Sequence, residues 1–186
     1  MTPQAPPGNG QSDREFANGW KVLLAGMLGV TCGASPIPFN LIGFTVAPLT
    51  AEFGWSRTEI ILPATIYGLI ASLMAPVFGW LADRHGVRKV ALWSVFAFAL
   101  ALAAVALTPT ANKTSTLYFY YGLWTVIGLV GIGSTPVTWS RAVNLWFFRH
   151  RGLALGILLM GTSVAALVIP KLAVWAIAEF GWRMMF

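Results

Sequence analysis

The sequence predicts an all-α, polytopic membrane protein, and three observations carry that prediction. The 186 residues are 57% apolar and 10% charged, with a mean hydropathy of +0.72, a composition suited to lipid rather than water. Five apolar runs, about 20–49, 59–81, 89–108, 116–147 and 152–178, can be drawn along the chain, and a sixth begins at Trp182. Each of the five supplies the ~20 residues that a helix rising ~1.5 Å per residue needs to cross a ~30 Å hydrocarbon core. The charges, finally, are gathered into the short segments between runs rather than scattered.

Those charges also set the topology. Alternating sides puts Arg14, Lys21, Arg84, Arg88, Lys89, Arg141, Arg149 and Arg151 together, against Arg57, Lys113 and Arg183, with Lys171 inside a run. Basic loops stay in the cytoplasm, so a cytoplasmic amino terminus in a cell inner (plasma) membrane is expected. The net charge of +6 is thereby topological, and it excludes nothing but a nucleic-acid role, which needs a basic face on a soluble domain. Residues 1–18 are rich in Pro, Gly, Gln and Ser and read as a disordered cytoplasmic tail.

The first run contains Ser35-Pro36-Ile37-Pro38-Phe39-Asn40. Each proline removes a backbone donor, so a kink or break is expected there, against protein or a watery cavity. Gly26, Gly29 and Gly33 share a face suited to close helix packing. Asn40 needs partners at that depth, either as cavity lining or as a bond between helices. Cys32 reads as a small buried residue. Beyond the run, Ser56 followed by Glu59 is a capping box that starts the second helix. In that helix Gly68, Ser72, Ala75 and Gly79 form a seam of small residues that lets another helix approach.

Between the second and third runs stands a charged turn, Gly79-Trp80-Leu81-Ala82-Asp83-Arg84-His85-Gly86-Val87-Arg88-Lys89, called the hinge below. Gly86 can adopt a left-handed backbone angle without steric cost and so reverse the chain. Asp83 among three cations reads as paired. The spacing of Gly79, Asp83, Arg84, Gly86, Arg88 and Lys89 resembles the loop between the second and third spans of the major facilitator superfamily of secondary transporters, with Val87 in place of an early basic residue. The resemblance implies the major facilitator fold, two six-helix halves rocking about a central site. This chain would then be an incomplete amino-terminal half, five spans plus the start of a sixth, with the carboxy-terminal half absent as its partner. It also implies that the hinge gates the cytoplasmic side, Asp83 facing a helix amino terminus of that other half.

The third run is apolar throughout except for Ser94 and is expected to face lipid. In the fourth, glycines at 122, 128, 131 and 133 precede Pro136, which can bend the helix. Ser134, Thr138 and Arg141 recur at i, i+4 and i+7 and predict a polar stripe on one face. Arg141 can either reach back to the inner interface or grip an anion in two-point geometry. His150 falls in a short inner loop and reads as a solvated imidazole. In the fifth run Lys171 either snorkels to water or needs an anion.

Glu52-Phe53-Gly54-Trp55-Ser56-Arg57, residues 146–156 and Gly181-Trp182-Arg183 further resemble the monocarboxylate-transporter and oxalate/formate-antiporter branch. No lysine follows Lys21 in the first run, where the monocarboxylate carriers have one. The resemblance implies a small organic anion, a mono- or dicarboxylate, with Arg141 and Lys171 supplying positive potential and Asn40 and Ser134 orienting it. The Glu-Phe-Gly-Trp echo at 52–55 and 179–182 joins two outer loops, so it is not an inverted repeat, which would pair an outer loop with an inner one. The alternative reading is a truncated transporter-like protein or fragment without transport of its own. An enzyme is disfavoured: both histidines lie in loops, one cysteine cannot build a metal cluster, and no nucleophile has a base at recognisable spacing. No cofactor is called for.

Overall fold

A computed structural model of the chain describes residues 15–109 and 112–186. The described regular structure is helical: α1 (Glu15–Thr31), α2 (Pro36–Phe53), α3 (Arg57–His85), α4 (Val87–Val105), α5 (Lys113–Gly131), α6 (Pro136–Asn144) and α7 (Arg151–Phe180), with short 3-10 turns at Ile132–Ser134 and Trp182–Met185. They make five stretches long and apolar enough to cross a membrane, Gly19–Phe53, Arg57–His85, Val87–Val105, Lys113–Asn144 and Arg151–Phe180. The first stretch is α1 plus α2 and the fourth is α5 plus α6.

Residues 1–14 of the expected tail lie outside the described residues, and Glu15 to Asn18 already belong to α1. The Glu15 carboxylate is bound there by the inner loop. It accepts from the backbone N–H groups of Phe148 (3.2 Å), Arg149 (3.1 Å) and His150 (3.3 Å), and His150 Nδ1 lies 3.4 Å away. Phe16 packs edge-on against Phe147. His150 is therefore a partner of Glu15 rather than a free loop imidazole.

The hinge is also more helical than its charge suggests. Helix α3 runs on through Asp83, Arg84 and His85, and only Gly86, at φ 89° and ψ 134°, stands between it and α4. The reversal thus takes one residue with positive φ, an angle that a side chain would strain. At the other end of α3 the capping box is complete. Ser56 Oγ accepts from the Glu59 N–H (3.3 Å), and the Glu59 carboxylate accepts from the Ser56 N–H (2.7 Å).

The echoed Glu-Phe-Gly-Trp segments meet in space. Phe53 stacks on Trp55 and meets Trp182 edge-on, both glycines have positive φ, and Glu52 accepts from Trp182 Nε1 at 2.6 Å and pairs with Arg183 at 2.8 Å. Two apolar cores result. One gathers Leu49, Trp55, Ile60, Phe98, Tyr120 and Trp124 away from the hinge, and the other Leu23, Val30, Val143, Phe147 and Leu158 toward it.

Because lipid tails are as apolar as leucine, helices in a bilayer adhere through close fit. Here the fit is glycine against bulk. A Cβ on Gly26 would lie 2.8 Å from Leu158 Cδ1, and one on Gly29 would overlap the Trp139 indole. The expected glycine face of the first span is therefore its packing face. The small seam of α3 is not: Gly68 has open space around it, and Ser72, Ala75 and Gly79 wall a cleft. Helix α4 is not uniformly lipid-facing either, since Val90, Ala91, Ser94, Phe98 and Leu102 are buried.

Candidate functional site

Two helix breaks lie side by side. The first span breaks between Thr31 and Pro36, the fourth between Gly131 and Pro136. In each, proline occupies the first position of the new helix, where its missing N–H costs no bond. The break in the first span therefore precedes the prolines rather than sitting on them. The Ala34 N–H donates to Ser134 Oγ at 3.0 Å, Ser134 Oγ donates to the Gly131 carbonyl at 2.7 Å, and Tyr67 OH donates to the Ala34 carbonyl. Thr31 Oγ1 ties the same break to α7 through the Gly161 carbonyl at 3.1 Å. Backbone groups freed by the breaks are met by side chains, as burial demands.

A cleft of about 400 Å³ opens beside the breaks, between α3 and α6. Ser35 and Thr135, the residues just before α2 and α6, line it with Ser72, Thr138 and Arg141. Both half-helices begin at this cleft, so their positive dipole ends meet there. At its hinge end Arg141 Nη1 donates to Asp83 Oδ1 at 2.8 Å and to the Gly79 carbonyl at 3.0 Å. The pair is open to solvent, with 40% of the arginine and 70% of the aspartate side chain exposed. Asp83 is paired, then, but with the fourth span and not with the hinge cations.

The four residues expected to bind substrate are not brought together. Arg141 lines the cleft. Ser134 is fully buried at the stitch between the breaks, and the stripe it was to share with Thr138 and Arg141 is interrupted by the 3-10 turn. Asn40 donates to the Pro36 carbonyl of its own helix at 2.7 Å and lines neither described pocket. Lys171 is exposed on α7, with no hydrogen bond or ion pair among the described residues. Cys32 is exposed at the first break rather than buried. Among the described residues no cluster of His, Cys, Asp or Glu could hold a metal.

The breaks carry a signal that the reading of the sequence missed. Val30, Gly33, Ser35 and Pro36 recur as Val130, Gly133, Thr135 and Pro136, one hundred positions later. The first and fourth spans run in opposite senses, so this echo has the form of an inverted three-plus-three repeat.

Comparison with known proteins decides the family. The model of the Major Facilitator Superfamily matches residues 28–186. The chain belongs to the major facilitator superfamily. Family membership makes it a multi-pass membrane protein of a transporter family rather than an enzyme, and the five spans are part of the superfamily's fold. The cis,cis-muconate transport protein of Acinetobacter baylyi is 26% identical over 96% of this chain and 41% of its own length. The hexuronate transporter of Escherichia coli is 26% identical over 90% of the chain and 37% of its own length. A multidrug resistance protein B homolog of Mycobacterium tuberculosis is 26% identical over the whole chain and 34% of its own length. The chain thus spans about two fifths or less of these relatives. No solved structure gives a significant match.

Proposed function

We propose that this chain supplies one half of a secondary transporter that moves a small organic anion, a mono- or dicarboxylate, by alternating access. The observation that carries the reading is the convergence of two half-helix amino termini and Arg141 on one cleft. The positive dipole ends of two half-helices and a guanidinium, which has no acceptor, favour negative charge, and a carboxylate is the complementary ligand. Muconate and hexuronate, which two of the relatives are named for, are carboxylates by their chemistry.

Arg141 is the substrate-facing cation in this proposal, and Asp83 is its resting partner. A pair this exposed is worth about 1 kcal/mol or less, so a substrate carboxylate in the cleft competes for the guanidinium. Ser72, Thr135 and Thr138 then supply hydroxyl contacts. Lys171 faces away from the described helices and meets either the substrate or an anionic group of the other half. The hinge, through Asp83, Arg84, Gly86, Arg88 and Lys89, holds the cytoplasmic side of that pathway, with the amino terminus on the same side in the cell inner membrane.

Uptake by the complete protein in proteoliposomes tests this. Labelled mono- and dicarboxylates are expected to enter, and neutral sugars and amines are not. Arg141→Gln should lower carboxylate uptake at least ten-fold, about 1.4 kcal/mol, while expression and folding persist. Equal entry of amines, or full uptake by that variant, would remove the anion reading.

A further inference from the structure

A second groove lies beside the cleft, sharing Phe78 with it, between α3 and α4 at the hinge end, with a volume of about 410 Å³. Phe78 and Leu81 of α3 and Trp93 and Ala97 of α4 form its walls. Ser94 and Val130 line its floor, where Ser94 Oγ donates to the Val130 carbonyl, so the serine hydroxyl there is already bonded. His85 and Lys89 line the same groove. From Lys89 to Ala97 the helical rise covers roughly 12 Å, within the ~15 Å depth of one hydrocarbon leaflet.

Charge identifies the occupant. Asp83 is the only carboxylate in the hinge, and it is engaged by Arg141. Arg84 lies over the Trp80 ring at 5.2 Å. His85 and Lys89 have no hydrogen bond or ion pair among the described residues. A greasy slot ending at the membrane boundary in the uncompensated Lys89 ammonium and the unpartnered His85 imidazole matches a molecule with an acyl chain and an anionic head. Trp93, 72% exposed, stands where an indole suits the interface. We propose that this groove binds one anionic phospholipid of the hinge-side leaflet, its acyl chain against Phe78, Trp93 and Ala97 and its phosphate between His85 and Lys89.

The test uses the complete protein in bilayers of equal phosphatidylglycerol and phosphatidylcholine, with retained lipid read by native mass spectrometry. A basic residue beside an anionic lipid is worth about a five-fold preference. Phosphatidylglycerol should therefore be retained at least five-fold over phosphatidylcholine by the wild type. That preference should vanish in His85→Gln/Lys89→Gln and persist in Arg57→Gln, which removes a cation at the opposite end. Ala97→Trp fills the slot without touching a charge and should abolish retention. Should that variant not fold, brominated-chain phosphatidylglycerol decides, because it should quench wild-type fluorescence more than that of Trp93→Phe. Equal retention of the two lipids, retention that survives Ala97→Trp, displacement by soluble glycerol phosphate alone, or a groove closed to lipid by the rest of the polypeptide would each overturn the proposal.

Discussion

Ser134 is a buried polar residue whose hydroxyl serves the fold at the two helix breaks. Its hydroxyl is used twice, accepting from Ala34 and donating to Gly131. Ser134→Ala would leave a buried N–H without a partner, a loss of about 1–3 kcal/mol. Thermal unfolding in detergent should register that loss, while the KM for transport per folded molecule stays unchanged. Glu15 is the clearest titrating group outside the spans. The Arg149 N–H foremost, with those of His150 and Phe148, holds its carboxyl below its ordinary value of 4.5, against an opposing effect of partial burial. A carboxyl whose folded pKa is depressed stabilises the fold above its unfolded pKa, and the contribution disappears as pH falls through the lower folded value. Protease protection of residues 147–150 is expected to hold from neutral pH down to about pH 4.5 and to fall below it. In Glu15→Gln it should be lower at neutral pH and nearly flat with pH.

Among elements, α1 and α7 approach each other closely, backbone against backbone. A Cβ on Gly161 would stand 2.5 Å from the Met27 carbonyl oxygen, which belongs to backbone and cannot turn away. Overpacking of this kind costs about 1–3 kcal/mol, so Gly161→Ala should lower the melting temperature measurably. Gly122 has open space around it, and Gly122→Ala should be neutral or slightly stabilising, because alanine is the better helix former. The existence of each span and the start of α3 were legible in the sequence, since hydropathy and a capping box are local signals. The end of α3 was not. Asp83-Arg84-His85 looks like a loop because it is charged, but charge fixes only contact with water, and a helix can run into water.

At the scale of the whole molecule the cleft should be wet and the outer surface of α4 greasy. Ser72→Cys and Thr138→Cys are expected to react with a membrane-impermeant maleimide applied from at least one side, and Leu100→Cys is not. Protection of the first two by a transported carboxylate would tie the cleft to the pathway, and labelling of Leu100→Cys instead would place water on the wrong face. The paired breaks that shape this cleft were written in the repeat of Val30-Gly33-Ser35-Pro36 at Val130-Gly133-Thr135-Pro136, legible only by comparing segments one hundred residues apart. Composition and loop charge by themselves determined that the chain is threaded through a bilayer and where its spans give way to loops, because the cost of burying charge in lipid is paid residue by residue. Tertiary structure alone decided that Arg141 reaches Asp83, that Ser134 stitches two breaks and that Asn40 bonds its own helix. Those outcomes depend on which helices are neighbours, and helical periodicity names a face without saying what stands opposite it.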